Sequence, residues 1–283
     1  MIATTPAATP RRALLRLELA DALRSRWLLF TAAIYVSVFG GFVWLGLRES
    51  TVLGFTGVSR VVLNLANVVV VVLPLVALVA TSQVVVRGRS SGFFELFLSQ
   101  PCRRSDWFTA VVACRVGVIG GPLLLLLVAA LGVGLAAGEH TAAPIVLRSG
   151  AVAVSLTFAF VGVGLWLSVK APTSERATVY ALVTWLVVSA LHDFALIGLL
   201  LQVHLPARAV FALAALNPVE SARLSILSAV DPELSVLGPV GFWLTNALGP
   251  AWITALGIGW PLALGALCLA ATRRRLLAMD LIG

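Results

Sequence analysis

Long runs of apolar residues, each about as long as a membrane-crossing helix, recur along this chain and are separated by short basic interruptions. The first, Trp27 to Leu47, has 21 residues and no charge, with Trp27 and Trp44 placed near its ends to suit two membrane–water interfaces. Five more follow: Val61 to Val86, Trp107 to Ala137, Arg148 to Val169, Ala177 to about Val203, and Pro250 to Ala271. Such runs leave 60% of the residues hydrophobic and 11% charged, with mean hydropathy +1.04, whereas soluble domains carry roughly a quarter charged residues. The reading is an all-α polytopic membrane protein with six transmembrane helices. Residues 1–26 form a cytoplasmic tail and an amphipathic elbow helix, and residues 27–283 form the transmembrane domain.

Charge placement orients the chain. Of the 20 basic residues, 14 fall on one side of this topology, five on the other, and Arg115 within the third helix; the positive-inside rule makes the richer side cytoplasmic, with both termini there. The same rule explains the net charge of +8 without nucleic acid. The first apolar run is too long for the core of a signal peptide. Before it, Leu15, Leu19 and Leu23 recur every four residues among arginines, which fits either a helix lying on the cytoplasmic surface or a plain basic flank.

The most charged interruption is Arg87 to Asp106, RGRSSGFFELFLSQPCRRSD. Gly92 precedes an apolar turn carrying Phe93, Phe94, Leu96 and Phe97; Pro101 ends it, and Arg103 and Arg104 follow. On the cytoplasmic side, this segment is either a foot whose apolar residues plug a groove on a partner protein or a turn lying against inner lipid headgroups. Another chain must supply any nucleotide chemistry. The only lysine is Lys170, in KAPTSER, and no Gly-x-x-x-x-Gly-Lys phosphate loop occurs. Hydrolase signatures such as Gly-x-Ser-x-Gly and His-Glu-x-x-His are also missing, so no cofactor is assigned to this chain.

Asp193, beside His192, is the single acid within a spanning run, where an ionised carboxylate costs about 2.5–3.5 kcal/mol. It either lines a translocation path or ties helices together. Arg115 is the nearest candidate counter-charge, although it sits about 10 Å from the cytoplasmic edge and Asp193 about twice as far. The two neighbours His192 and Asp193 point to different helix faces, which argues against a paired acid–base catalyst. Gly117-x-x-x-Gly121, followed by Pro122, would let a second helix approach closely. Glu139, His140, His204 and Glu220 share the outer side, but their spacing matches no ligand pattern and no metal site is assigned. Cys102, Cys114 and Cys268 read as small buried hydrophobes. In the outer segment 204–249, Asn217 caps a helix, Pro218 takes its first position, and Glu220 reaches back as in a capping box, opening a short helix through Arg223 and Leu224. That helix is either a docking or gating surface or a re-entrant element.

Four stretches, ELADALRSRWLL, SSGFFELFLSQPCRR, HDFALIGLLL and LNPVESARL, resemble the type-2 ABC exporter permeases, and within them the NosY-like branch that serves nitrous oxide reductase maturation. The family pattern of a glycine, a short helix and Pro-x-x-Arg falls on Gly92, Phe93 to Leu98, Pro101 and Arg104. The positions before that glycine, acidic in the family, are Arg87, Arg89 and Ser90 here. The resemblance implies a homodimeric permease of twelve helices in the bacterial inner membrane, contacting lipid and two copies of a separate ABC ATPase that binds ATP and magnesium. It also implies a periplasmic partner and a cargo used in copper-site assembly. The alternative class is a non-transporting membrane anchor or assembly factor.

Overall fold

The computed structural model describes residues 10–24, 29, 32–37, 40–41, 57–100, 102–136, 142–203 and 205–279; most of the first apolar run therefore lies outside the described residues. Helix α1 (Pro10–Arg24) is followed by α2 (Gly57–Ser82), α3 (Val84–Ser90), α4 (Phe93–Leu98), α5 (Arg104–Ala136) and α6 (Ala142–Lys170). Helix α7 (Ser174–Leu186) runs through a wider π turn (Val187–Leu191) into α8 (His192–Gln202). Then come α9 (Ala207–Leu216), α10 (Pro218–Val230), α11 (Pro239–Ala247) and α12 (Gly249–Ala278).

The described residues include five helices long and apolar enough to cross a membrane, and α9 with α10 forms a sixth candidate bent by 115°. A bend past a right angle makes that pair double back, and the short helix expected to open at Pro218 and run through Arg223 and Leu224 extends to Val230. Pro218 at the first turn of α10 explains the break, because a proline is tolerated where no intrahelical donor is needed.

Helix α6 is the hub, packing against α2, α5, α10 and α12. Its large buried side chains Leu156, Phe160 and Leu165 meet a core that includes Leu73, Leu78, Leu123 and Leu276. Lipid tails are as apolar as these residues, so helices gain little by merely hiding leucines from them; close packing and hydrogen bonds must supply association. The α6–α12 seam shows how the backbones come close. A Cβ placed on Gly162 would lie 2.8 Å from the carbonyl oxygen of Gly265, and one on Gly265 would lie 2.9 Å from the Cα of Ala159. On the α2 side, Gly164 receives Thr81 in the same way.

Several buried threonines in these helices bond to their own backbone, since no water is available in hydrocarbon. Thr81 donates to the Ala77 carbonyl at 2.6 Å, Thr157 to Ala153 at 2.7 Å and Thr272 to Cys268 at 2.7 Å. Where α2 ends and α3 begins, the Ser168 hydroxyl oxygen of α6 accepts the amides of Val85 and Val86 at 2.9 and 3.3 Å, satisfying donors that a helix start leaves open.

A side chain at the α6–α12 seam must push two backbones apart. Gly265→Val is expected to destabilise the purified protein by about 1–3 kcal/mol, read by thermal unfolding in detergent. Gly259→Ala, where an added Cβ meets nothing within 4 Å, should stay within about 0.5 kcal/mol.

Candidate functional site

The foot is built from α3, α4 and the start of α5. Gly92 joins the two short helices with φ of +70°, a conformation that glycine adopts without a side-chain penalty. The turn sends Phe93, Phe94 and Phe97 back onto Trp107 of α5. The Phe94 and Trp107 rings meet edge to face with centroids 5.0 Å apart, and Phe93 stacks on Phe97 at 5.8 Å. Gly88 makes room for this cluster, because a Cβ there would lie 2.8 Å from the Phe94 ring. Phe94 is 2% exposed and Phe97 8%, whereas Leu96 is 75% exposed.

The apolar plug expected from the sequence is corrected accordingly. Phe94 and Phe97 belong to this chain's own core because Trp107 supplies the surface they need, leaving Leu96 as the large apolar side chain that faces outward. Glu95 and Arg103 flank it, exposed. Pro101 lies outside the described residues.

Three polar ties fix the foot to the rest of the bundle. The Trp107 indole donates to the Glu18 carboxylate of α1 at 3.0 Å. Burial pushes the Glu18 carboxyl above its ordinary range, an effect opposed by the nearby Arg115 guanidinium and by the indole donor. Arg89 donates to the Ala171 carbonyl at 2.8 Å, just past the end of α6. Arg104 donates to the Met279 carbonyl at 2.9 Å and more weakly to Leu276 at 3.4 Å. It therefore caps the C-terminal end of α12, where a cation also meets the negative end of the helix dipole. Arg103 and Arg104 are neighbours in the sequence, and the structure separates their roles: Arg103 is exposed and Arg104 is bonded to α12.

A second polar cluster sits around the middle of α7–α8, at the π turn and the first turn of α8. Asn217 caps α10 by accepting the Val219 amide at 2.9 Å, and its own amide donates to the Val188 carbonyl at 2.6 Å. Val188 lies in the π turn, where the helix ladder is interrupted and a carbonyl is free for an outside donor. One turn further on, Arg223 reaches Asp193 at 3.3 Å and Glu220 at 2.6 Å. Two expectations change here. Glu220 turns to Arg223 instead of reaching back to Asn217, and Asp193 takes Arg223 as its counter-charge while Arg115 stays beside Glu18. The Nε2 of His192 is buried without a hydrogen-bond partner among the described residues. Glu139, His140 and His204 lie outside them.

Sequence reasoning missed the roles of Glu18, Trp107 and Arg89. A tryptophan opening a spanning run reads as an interfacial anchor, and nothing in the spacing says that a glutamate 89 positions earlier meets it. The Asn217–Val188 bond was equally hidden, since a backbone carbonyl leaves no trace in composition.

The family model for ABC-2 family transporter proteins matches residues 12–281. The chain belongs to the ABC-2 transporter family. A relative from Pseudomonas aeruginosa, "Probable ABC transporter permease protein NosY", is 30% identical over 263 residues, covering 88% of this chain and 94% of the relative. A protein of the same description from Stutzerimonas stutzeri is 32% identical over 122 residues, 43% of this chain and 42% of that one. In this ABC-2 chain, the match takes in both the foot and the Asp193–Arg223 cluster.

The Asp193–Arg223 contact joins α8 to α10 in this ABC-2 transporter, so the two residues should be energetically coupled. A double-mutant cycle with Asp193→Asn and Arg223→Gln, read by thermal unfolding, is expected to show a coupling of about 0.6 kcal/mol, the size found for side-chain contacts between membrane helices. Additive effects would mean that the pair contributes nothing to stability.

Proposed function

We propose that this chain is the membrane-spanning permease subunit of an ABC exporter in the bacterial inner membrane. The side bearing α1, the foot and the C-terminal end of α12 is cytoplasmic, in keeping with the clustered arginines. Two copies work together with two copies of a separate ABC ATPase, which binds ATP and magnesium. The likeness to the two NosY proteins favours a role in nitrous oxide reductase maturation, with a periplasmic partner at the far end and a cargo used in copper-site assembly.

The observation that carries this reading is the foot. It is clamped to α1, to the chain after α6 and to α12, yet it points Glu95, Leu96 and Arg103 outward. A segment held at three places and bare on its outer side is suited to receive a push and pass it to several helices at once. The chain itself carries no phosphate loop, so the push comes from a partner. Movement at the foot reaches α7 directly, because Gln83 at the α2–α3 junction donates to Thr178 at 2.5 Å.

The bare fifth crossing supports the two-copy arrangement. About 6% of the apolar window over α7 and α8 is buried in the single chain, against 72% for α6. Phe194 and Leu201 are 71% and 83% exposed. At the same crossing, Asp193 is held by Arg223 as a polar tie, and the re-entrant pair α9–α10 rests on that tie as a gate.

Co-expression with the neighbouring open reading frames tests the proposal. The expected result is a complex containing a Walker-type ATPase, whose hydrolysis in the reconstituted complex falls at least tenfold on combining Leu96→Asp with Arg103→Glu, while membrane insertion is unchanged. A stable complex without any such ATPase would instead make the chain a membrane anchor or assembly factor.

A further inference from the structure

Among the described residues, no helix packs against the glycine pair Gly117 and Gly121 on α5: a Cβ at either position meets nothing within 4 Å. The pair instead floors an open groove of about 560 Å³ between α5 and α1, walled on the α1 side by Leu15, Leu19 and Leu23. These leucines recur every four residues, so they form one face of α1, and they are 38%, 43% and 55% exposed. The α5 side of the groove runs from Ala113 to Leu125, about 18 Å at 1.5 Å per residue. Half of a hydrocarbon core of about 30 Å is about 15 Å, so the groove is as long as one leaflet is deep.

Charge around α1 is sorted by side. Arg16 is the one charged residue among the described residues lining the groove. The acids of α1, Glu18 and Asp21, line a separate cavity of about 680 Å³ together with Arg24, Arg87 and Arg115. Arg12 lies one turn before Arg16, on the same strip of helix surface. An occupant of the groove thus meets a long apolar trough and, on its α1 wall, the positive charge of Arg16 with no carboxylate among the described lining residues.

We propose that this groove is a binding site for an anionic phospholipid of the leaflet on the α1 side, with one acyl chain lying over Gly117 and Gly121 and the phosphate at Arg16. The lipid's other chain stays in the bilayer. Bound in this way, the lipid acts as a wedge that sets the distance between α1 and α5, the two elements that Trp107 and Glu18 also join. The site depends on the membrane embedding of the chain and not on what is transported.

Native mass spectrometry of the full chain, purified in mild detergent and equilibrated with equal amounts of phosphatidylglycerol and phosphatidylcholine, tests the site. The wild-type chain is expected to retain phosphatidylglycerol about fivefold over phosphatidylcholine, the preference one arginine near the membrane surface confers. Gly121→Leu, whose Cβ meets nothing within 4 Å and whose longer side chain fills the trough, should lose the retained lipid while keeping its helicity and elution volume. Arg16→Gln should keep a lipid but lose the headgroup preference. Equal retention by wild type and Gly121→Leu would overturn the proposal, as would an unchanged preference in Arg16→Gln. Loss of self-association in Gly121→Leu would assign the groove to a second copy of the chain and overturn it as well.

Discussion

Close approach of backbones along α6 is the constraint on which the rest of the molecule depends. In hydrocarbon, one apolar surface is as good as another, so a bundle holds together where helices touch more closely than lipid can. Gly162, Gly164 and Gly265 allow this contact on two faces of α6. The hydroxyls that would otherwise be stranded there bond to their own helices. With α6 buried on its α2, α5, α10 and α12 sides, α7–α8 is left at the edge of the packed core, touching it through Ala181 and Trp185, and α1 packs against α5.

From that core, two polar regions are suspended, one at the start of α7 and one around its π turn. The foot grips the hub where Ser168 accepts the first amides of α3 and where Arg89 reaches Ala171. The other cluster grips α7–α8 through Val188 and Asp193, near the middle of the crossing. Thr178, which receives the Gln83 amide, opens the same helix whose π turn receives Asn217. A displacement of the foot therefore acts on a single continuous crossing that also carries the Arg223 tie. The π turn lies midway, and a turn of this kind bends at less cost than regular helix because its hydrogen bonds are already irregular.

Much of this was legible in the sequence, for reasons of scale. Apolar runs of about 20 residues announce helices, and the spans containing Pro74 and Pro122 were placed to within a few residues because charge bounds them. Asn217–Pro218 announced the start of α10, since capping is a local matter. Partnerships across the bundle were not legible. Phe94 looked like a docking residue because its amphipathic turn has the same pattern whether its apolar side meets another protein or Trp107. Asp193 looked orphaned because its partner sits in a segment that folds back, and the fold-back depends on tertiary packing around α10.

The bare face of α7–α8 is where the single chain is least complete, and it gives the most direct test of a two-copy, ATPase-driven permease. The measurement is intermolecular cross-linking in native membranes with single cysteines at Phe194 and Leu201, in a chain whose Cys102, Cys114 and Cys268 are replaced by alanine. A short cross-linker should join two copies through these positions and should fail at Leu267, an exposed residue of α12. Cross-linking at Leu267 with none at Phe194 or Leu201 would place the contact between copies elsewhere and contradict the arrangement.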